Sequence, residues 1–352
     1  MSSSLVETRI PTYNRPALLR RALRSLQEQT HRNWRAVVLD DGDAGRTRGL
    51  IDEIGDPRIL HRPNPRRLGA GPNIAQAFSM TPLAGGMFFH VLEDDNLVLP
   101  RFMADNLALL ATHGVDIVLN NQWIERVSED LDLWPPEHDD DTTLDCFSEG
   151  IWTADDLRVA MMWRLPLSNG GLFWRLGCRS DLTVDDVEDA GQQEWVRCFR
   201  LAEDVYFNAT PNAIWRPISE LYSTEFNFSM FLKEHRLQQT MRRRVLAAMN
   251  ARGARNMLLS DRFTTPLPLR EIGVLRTPGR WPGTSGLGWR RRLALVAKAL
   301  AIRLFAPPAP RQAIRALGRR PVHAPSRPSA MPAAPLGPID PDSTRPSGPR
   351  SA

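Results

Sequence analysis

The chain has 352 residues, of which 42% are hydrophobic and 24% charged, a composition typical of a globular protein. Its net charge of +5 comes from residues 273–352, where 14 Lys and Arg outnumber 2 Asp and Glu, so the first 272 residues carry about −7. This distribution argues against a nucleic-acid-binding body. Three widely spaced cysteines without a CxxC pair predict reduced thiols rather than a disulfide framework or a zinc site.

The first 120 residues alternate strand-like and helix-like segments, which is the pattern of a mainly parallel α/β sheet. Asn14 is predicted to cap a first helix that Pro16 opens. Further helices are predicted over 71–80 and after Pro100. Glu7 and Arg9 interrupt the apolar run of the first strand and weaken its prediction. The predicted strands are 5–10, 35–39, 58–61, 87–92 and 116–119.

The rest of the chain changes character twice. Residues 121–230 are less regular and rich in Trp and acidic residues, and 137–145 predict a solvated loop. Residues 271–305 predict a helical extension, because 288–305 form a basic amphipathic segment. Residues 306–352 contain 12 of the 29 prolines and predict a disordered tail. No run of about 18 apolar residues, the length needed to span a bilayer, occurs in the sequence.

Three acidic or turn-forming clusters follow predicted strands: 11–14 (PTYN), 40–42 (DDG) and 93–96 (EDDN). In parallel α/β sheets, ligands bind beyond the carboxyl ends of the strands. One acidic pair after a strand is weak evidence, because Asp is common at strand ends and helix caps. Several such clusters within the first hundred residues favour a site that handles phosphate or metal.

The sequence around these clusters resembles the opening of family 2 glycosyltransferases. The resemblance is carried by 9–16 (RIPTYNRP), 26–34 (LQEQTHRNW), 37–42 (VVLDDG) and 93–96 with Leu99-Pro100, and more loosely by 169–175 and 201–204. It implies a GT-A fold, a Rossmann-like mainly parallel sheet with flanking helices, together with a nucleotide-sugar donor and inversion at the anomeric carbon. Residues 1–120 would then bind the donor, and 121–270 would bind the acceptor and close the site.

The resemblance also implies which residues bind the donor. Asp41 would accept a hydrogen bond from N3–H of uracil or thymine, with a turn or helix cap as the alternative role. Asp94 would approach the ribose or the donor sugar, or hold a metal-bound water. Arg67 would face the diphosphate. The predicted nucleotide- and donor-binding residues are Pro11, Thr12, Tyr13, Asp41, Arg67, Asp94, Gly170 and Gly171.

Two carboxylates are predicted to carry the chemistry. Asp95 would hold Mn²⁺ or Mg²⁺, which prefers oxygen ligands and stabilises the departing diphosphate. Asp204, in a Glu203-Asp204 pair thought to begin a helix, would be the general base that accepts the proton of the acceptor hydroxyl. A helix N-cap is the alternative for Asp204, and the pair Glu188-Asp189 competes for the role of base.

The predicted function is metal-dependent, inverting transfer of a sugar from a UDP- or dTDP-sugar to the hydroxyl of a small-molecule, glycan or lipid-linked acceptor. The alternative enzyme is a nucleotidyltransferase on a related sheet, but such enzymes usually open with a Gly-rich loop. A third hypothesis is a non-catalytic nucleotide-sugar-binding protein with a membrane-associating tail. We expect a cytoplasmic protein without a nucleic-acid partner. Residues 288–305 would dock on the body or contact the inner membrane face.

Overall fold

A computed structural model describes residues 4–128, 130–145, 147–160, 167–187 and 190–217 of the chain. The predicted amphipathic segment 288–305, the Pro-rich tail 306–352, Cys146 and the pair Glu188-Asp189 lie outside these residues. In the described part, no helix combines the length and the apolar character needed to cross a bilayer.

One mixed β-sheet organises the described residues. Its strands lie in the order β3-β2-β1-β4-β9-β6-β10-β5, with β7 beside β6 and β8 beside β10. Strands β1, β2, β3, β4, β6 and β10 run parallel, and the other four run against them. The strands are β1 Val6–Thr12, β2 Trp34–Asp40, β3 Ile59–Pro63, β4 Phe88–Val91, β5 Leu97–Val98, β6 Ile117–Glu125, β7 His138–Thr142, β8 Gly150–Trp152, β9 Leu172–Arg175 and β10 Val205–Trp215.

Helices cover both faces of this sheet. They are α1 Pro16–Gln27, α2 Ala44–Ile54, α3 Ala70–Ala77, α4 Phe102–His113, α5 Ala154–Ala160 and α6 Ala190–Arg200, with a 3₁₀ turn at Asn169–Gly171. Side chains of a strand alternate between the two faces. Val38 therefore packs in the core beneath α1, α2 and α4, whereas Val37 and Leu39 pack in the core beneath α3, α5 and α6.

The five predicted strands are confirmed, with ends that differ by a few residues. α2 and the short β5 were not predicted. Residues 137–145 were predicted as a solvated loop, and that prediction is wrong for most of the segment. His138–Thr142 form β7, which pairs with β6 along the edge of the sheet. Its acidic side chains lie at the surface, so the sequence lacks the apolar residues that usually indicate a strand.

Asn14 does not cap the first helix as predicted. The residue before α1 is Arg15, and no side chain caps the helix there, although Pro16 opens it as expected. Asn14 has a φ of 54° and turns its Oδ1 toward the N–H of Asp43, at 2.9 Å. Its amide thus joins the turn after β1 to the turn after β2.

The two charged residues that seemed out of place in β1 form a buried ion pair. Glu7 and Arg9 are both 0% exposed, and Nε of Arg9 lies 2.7 Å from Oε1 of Glu7. Burial alone would raise the pKa of Glu7, but hydrogen bonds from Leu83 and Ala84 and the charge of Arg9 bring this pKa below its usual value.

This ion pair fastens the segment between α3 and β4 to the sheet. Glu7 accepts hydrogen bonds from the backbone N–H groups of Leu83, Ala84 and Gly86. The guanidinium of Arg9 donates to the backbone carbonyls of Ala77, Ser79 and Thr81. A Cβ on Gly86 would lie 2.4 Å from Cβ of Glu7, so only glycine allows this close approach.

We expect Arg9→Met to lower the free energy of unfolding by about 3–5 kcal/mol, because it leaves Glu7 buried beside carbonyls that lose their donor. Urea denaturation measures the loss. Arg20→Met is the matched control, since Arg20 pairs with Glu53 at the surface, and should cost less than about 1 kcal/mol. Equal losses in the two variants would contradict the role of the buried pair.

Candidate active site

A cleft of about 290 Å³ lies at the edge of the sheet where β1, β4 and β10 reach their carboxyl ends. Its walls come from the turn after β1, the start of α3, the acidic turn after β4, the first residue of α6 and the end of β10. The lining residues are Pro11, Thr12, Tyr13, Arg15, Ala70, Asn73, Ile74, Glu93, Asp94, Asp95, Ala190, Trp215 and Arg216.

The turns after β1 and β4 are joined by hydrogen bonds at the centre of the cleft. β1 and β4 are parallel neighbours, so Thr12 lies level with Asp94, and the hydroxyl of Thr12 donates to Oδ2 of Asp94 at 2.7 Å. Nη1 of Arg15 lies 2.9 Å from Oδ2 of Asp95 and 3.4 Å from Oδ1 of Asp94. The predicted nucleoside wall and the predicted metal residue therefore meet in one place.

The environment of these carboxylates favours a cation. Burial raises the pKa of Asp94 to about 6, and the charge of Asp95 adds to this shift. Burial likewise raises the pKa of Asp95, although the guanidinium of Arg15 opposes that change. A positive ion that entered the cleft would stabilise both ionised carboxylates.

Glu93 belongs to a buried network beneath the cleft rather than to its opening. Its two carboxylate oxygens accept from the side-chain amides of Asn96, at 2.9 Å, and Asn169, at 3.2 Å. Oδ1 of Asn169 in turn accepts from Nη1 of Arg197 at 2.6 Å, and its backbone N–H donates to Glu194 at 3.0 Å. Burial raises the pKa of Glu194 to about 7 and lowers that of Arg197 to about 9.

Gly170 and Gly171, predicted to approach a donor, pack inside the protein. Nε2 of His90 lies 3.1 Å from the carbonyl oxygen of Gly170, and a Cβ on Gly171 would lie 3.0 Å from the carbonyl oxygen of Asn120. Neither glycine is among the described residues that line the cleft. Their close packing seats the 3₁₀ turn against β4 and β6, and their contact with a donor stays a prediction.

Asp41 holds the loop that leads into α3. Its Oδ1 accepts from the side-chain amide of Asn64 at 2.9 Å and from the N–H of Leu68 at 2.6 Å, and its Oδ2 accepts from the N–H of Gly69 at 2.8 Å. The alternative role that the sequence left open, anchoring a turn, is therefore present. Contact with a base through the remaining lone pair of Oδ2 stays a prediction.

Tyr13 and Arg67, both predicted to contact the donor, stack on each other. The guanidinium carbon of Arg67 lies 4.3 Å from the centre of the Tyr13 ring, and Tyr13 is 41% exposed. A cation over an aromatic face is favourable by about 0.5–1 kcal/mol at an exposed site. The pair forms a polar and aromatic rim at the β1 side of the cleft.

Asp204, predicted as the general base, lies far from the cleft. It directly precedes β10, whose first residue Val205 pairs with Ile117, the first residue of β6. Since β4, β6 and β10 run in the same direction, Asp204 lies at the amino-terminal edge of the sheet. By the strand pairing, about six residues, or roughly 20 Å along the strands, separate Asp204 from the level of Asp94. The prediction that Asp204 begins a helix is wrong, because a strand follows it; its assignment as the general base stays a prediction.

Trp215 and Arg216 line the cleft but were not predicted from the sequence. The backbone N–H of Arg216 donates to Oδ1 of Asn96 at 2.9 Å, which ties the end of β10 to the acidic turn. Its Nη1 donates at 2.7 Å to buried Glu125, which also pairs with Arg21 of α1. Only strand pairing brings these residues to the motif, so no local sequence signal marks them.

The carboxylates suit an ion that is shared with a substrate. Among the described residues, no group of three or more His, Cys, Asp or Glu is placed to hold a metal ion. Mg²⁺ and similar ions in phosphate-transfer sites typically take one or two carboxylates and complete their shell with substrate phosphates and water. Asp95 and Asp94, both facing the cleft, fit that donor set.

Known proteins are similar to this chain in sequence and in fold. The sequence profile described as glycosyl transferase family 2 matches residues 9–162. The structure is similar to the crystal structure of Staphylococcus aureus TarS 1–349 in complex with UDP-GlcNAc, with a TM-score of 0.55 and 15% identity over 89% of this chain and 90% of that one. At this identity the similarity supports the fold.

Two curated relatives are similar over about a third of the chain. An Escherichia coli UDP-Glc:alpha-D-GlcNAc-diphosphoundecaprenol beta-1,3-glucosyltransferase, WfgD, is 25% identical over 121 residues, which cover 34% of this chain and 47% of that protein. A Campylobacter jejuni GalNAc(5)-diNAcBac-PP-undecaprenol beta-1,3-glucosyltransferase is 29% identical over 119 residues, covering 33% and 38%. The matched part thus spans less than half the length of either relative.

We expect Asn169→Ala to lower the free energy of unfolding by about 1–3 kcal/mol, because Glu93 and Arg197 would each lose a buried hydrogen-bond partner. Thermal or urea denaturation followed by circular dichroism measures the change. The control is Thr112→Ala at an exposed position of α4, expected within about 0.5 kcal/mol of the unchanged protein. A similarly small effect at Asn169 would show that the network does not depend on its amide.

Proposed function

We propose that the chain transfers a sugar from a nucleotide-diphosphate donor to an acceptor hydroxyl, because residues 9–162 match the profile described as glycosyl transferase family 2 and the fold is similar to that of TarS. The observation that carries this proposal is the joining of Thr12, Arg15, Asp94 and Asp95 at the centre of a cleft at the carboxyl edge of the sheet. A nucleoside wall, a cation site and a space for the transferred group are adjacent there.

The donor in this proposal is a UDP- or dTDP-sugar. Pro11, Thr12 and Tyr13 border the nucleoside, and Arg67, stacked on Tyr13, extends toward the diphosphate. The names of two similar proteins support a uridine nucleotide, since the TarS structure contains UDP-GlcNAc and the WfgD name specifies UDP-Glc. The N3–H group of uracil or thymine would donate a hydrogen bond to the remaining lone pair of Asp41 Oδ2.

Asp95 holds the divalent ion, Mn²⁺ or Mg²⁺, and Asp94 shares its charge. Bound there, the ion would supply Lewis-acid stabilisation of the diphosphate leaving group. Thr12 fixes the orientation of Asp94 by donating to its Oδ2, which leaves Oδ1 directed toward Arg15. The protein's own part is therefore to present two oriented carboxylates to a diphosphate that lies along β1 and α3.

The general base of the proposed inverting transfer is Asp189. Asp189 lies outside the described residues, but Ala190, which follows it in the chain, lines the cleft and begins α6. Its adjacency to Ala190 in the sequence supports this assignment. The ionised carboxylate of Asp189 would take the proton of the acceptor hydroxyl as it attacks the anomeric carbon.

The acceptor in this proposal is a hydroxyl on a lipid-linked glycan. The names of both curated relatives include a diphosphoundecaprenol or PP-undecaprenol acceptor. Segment 288–305, with Trp289 and Leu293 on one predicted face and Arg291 and Lys298 opposite, would then bring the enzyme to an anionic membrane surface on the cytoplasmic side. Trp215, at the end of β10, offers an aromatic face to a sugar in the cleft.

We expect Asp95→Asn to abolish the Mn²⁺-dependent part of UDP binding, because the main anionic oxygen ligand of the ion is lost. Calorimetry with UDP, with and without Mn²⁺, measures this change. Asp105→Asn is the control, since Asp105 pairs with Arg101 on the surface of α4, and it should bind as the unchanged protein does. Full Mn²⁺-dependent binding by Asp95→Asn would refute the assignment.

We expect Asp189→Asn to keep UDP binding but to lose at least about 100-fold in the rate of UDP release from a donor sugar, the usual scale of general-base catalysis. Asp204→Asn should release UDP at nearly the unchanged rate. The rate is measured with a panel of UDP- and dTDP-sugars and a lipid-linked acceptor extract. The opposite result for the two variants would return the role to Asp204.

A further inference from the structure

Arg15 is the charged residue through which the turn after β1 reaches the acidic turn. It lies directly before α1, with its backbone constrained by the following Pro16, and it lines the cleft. Its guanidinium Nη1 approaches Oδ2 of Asp95 to 2.9 Å and Oδ1 of Asp94 to 3.4 Å. One cation therefore bridges the two carboxylates that face the cleft.

The two sides of this contact differ in exposure. The Arg15 side chain is 40% exposed, whereas those of Asp94 and Asp95 are 7% and 12% exposed. The carboxylates are held in place, since Thr12 donates to Asp94 and the acidic turn follows a buried strand. Arg15 is thus the more exposed partner of the contact.

The other arginine of the cleft is already committed to a different acid. Arg216 contributes a weaker positive field at Asp95, but its Nη1 lies 2.7 Å from Glu125 and its side chain is only 14% exposed. Its backbone N–H is also bound to Asn96. Arg216 therefore supports the wall of the cleft. Arg15 is the arginine that pairs directly with Asp95.

We propose that Arg15 is an internal counter-cation. Before a divalent ion binds, the guanidinium of Arg15 pairs with Asp95. When the ion takes that position, the guanidinium moves to the phosphate oxygens of the donor. This inference rests on the proposed function. Guanidinium groups pair with phosphate oxygens through two parallel hydrogen bonds. The diphosphate therefore offers Arg15 a second anion within reach of the same turn.

The exchange has a thermodynamic consequence. Arg15 competes with the ion for Asp95, so the ion alone binds less tightly than the carboxylates would permit. A diphosphate removes this competitor and strengthens binding of the ion, and by linkage the ion strengthens binding of the diphosphate to the same extent. The two charges of the ion match the two of a diphosphate diester, so the net charge of the cleft is unchanged.

The test measures Mn²⁺ binding to the full chain by calorimetry, first without any nucleotide. Arg15→Gln should bind Mn²⁺ about three- to fivefold more tightly than the unchanged protein, the scale of one partly exposed ion pair. Arg15→Lys, which keeps a cation, should bind near the unchanged value. Arg20→Gln is the matched control, because Arg20 lies on α1 and pairs with Glu53 outside the cleft.

A second series repeats the titrations with saturating UDP or with uridine. UDP should increase Mn²⁺ affinity more in the unchanged protein than in Arg15→Gln, and uridine, which lacks phosphate, should increase it in neither. Urea denaturation confirms that each variant is folded. Weaker or equal Mn²⁺ affinity of Arg15→Gln without nucleotide, or an undiminished gain from UDP, would overturn the inference.

The two series separate the inference from the proposed function. Tighter Mn²⁺ binding by Arg15→Gln together with no UDP binding by any protein would support the counter-cation and reject the nucleotide-sugar donor. UDP binding with Mn²⁺ affinity unaffected at Arg15 would keep the proposed function and reject the counter-cation. Absence of Mn²⁺ binding in every protein would reject the counter-cation as well, since Asp95 would then not be an ion site.

Discussion

Burial of three consecutive carboxylates is the constraint around which this structure is arranged. β4 delivers Glu93, Asp94 and Asp95 into a cleft where burial raises the pKa of each of them. Each carboxylate receives a different compensating group. Amides stabilise Glu93 from below, a hydroxyl from β1 stabilises Asp94, and Arg15 stabilises Asp95. These groups come from the end of β1 and the turn after it, from Asn96 in the acidic turn itself and from the 3₁₀ turn at Asn169, so distant parts of the chain meet at the acidic turn.

The first part of the fold was accessible from sequence because its signals are local. The apolar stripe of α1, with Leu19, Leu23 and Leu26 all buried, repeats at helical spacing. β2 and β4 are short, mainly apolar runs that acidic residues follow. The family resemblance located Thr12 and Asp95, and the structure brings both to one cleft.

The rest of the site depends on contacts between distant residues, which the sequence does not record. Asp204 follows an acidic residue in a pattern resembling the family motif. Its strand pairing places it at the amino-terminal edge of the sheet, whereas the cleft lies at the carboxyl edge. Trp215 reaches the cleft only because β10 pairs with both β6 and β5. Asn169 begins the loosely matching segment 169–175, but only its contacts with Glu93 and Arg197 show that its amide joins two distant side chains.

The buried pair of Glu7 and Arg9 also sets limits on how this protein can vary. Connections at the surface between a helix and a strand usually accept inserted residues and are common sites of proteolytic cleavage. The connection from α3 to β4 is different, because six of its backbone groups end on two side chains inside the sheet. An inserted residue there would pull several of these groups off their partners at once. We therefore expect the connection to tolerate insertions poorly and to be cleaved slowly by proteases, which makes it a poor place to graft a tag or a loop.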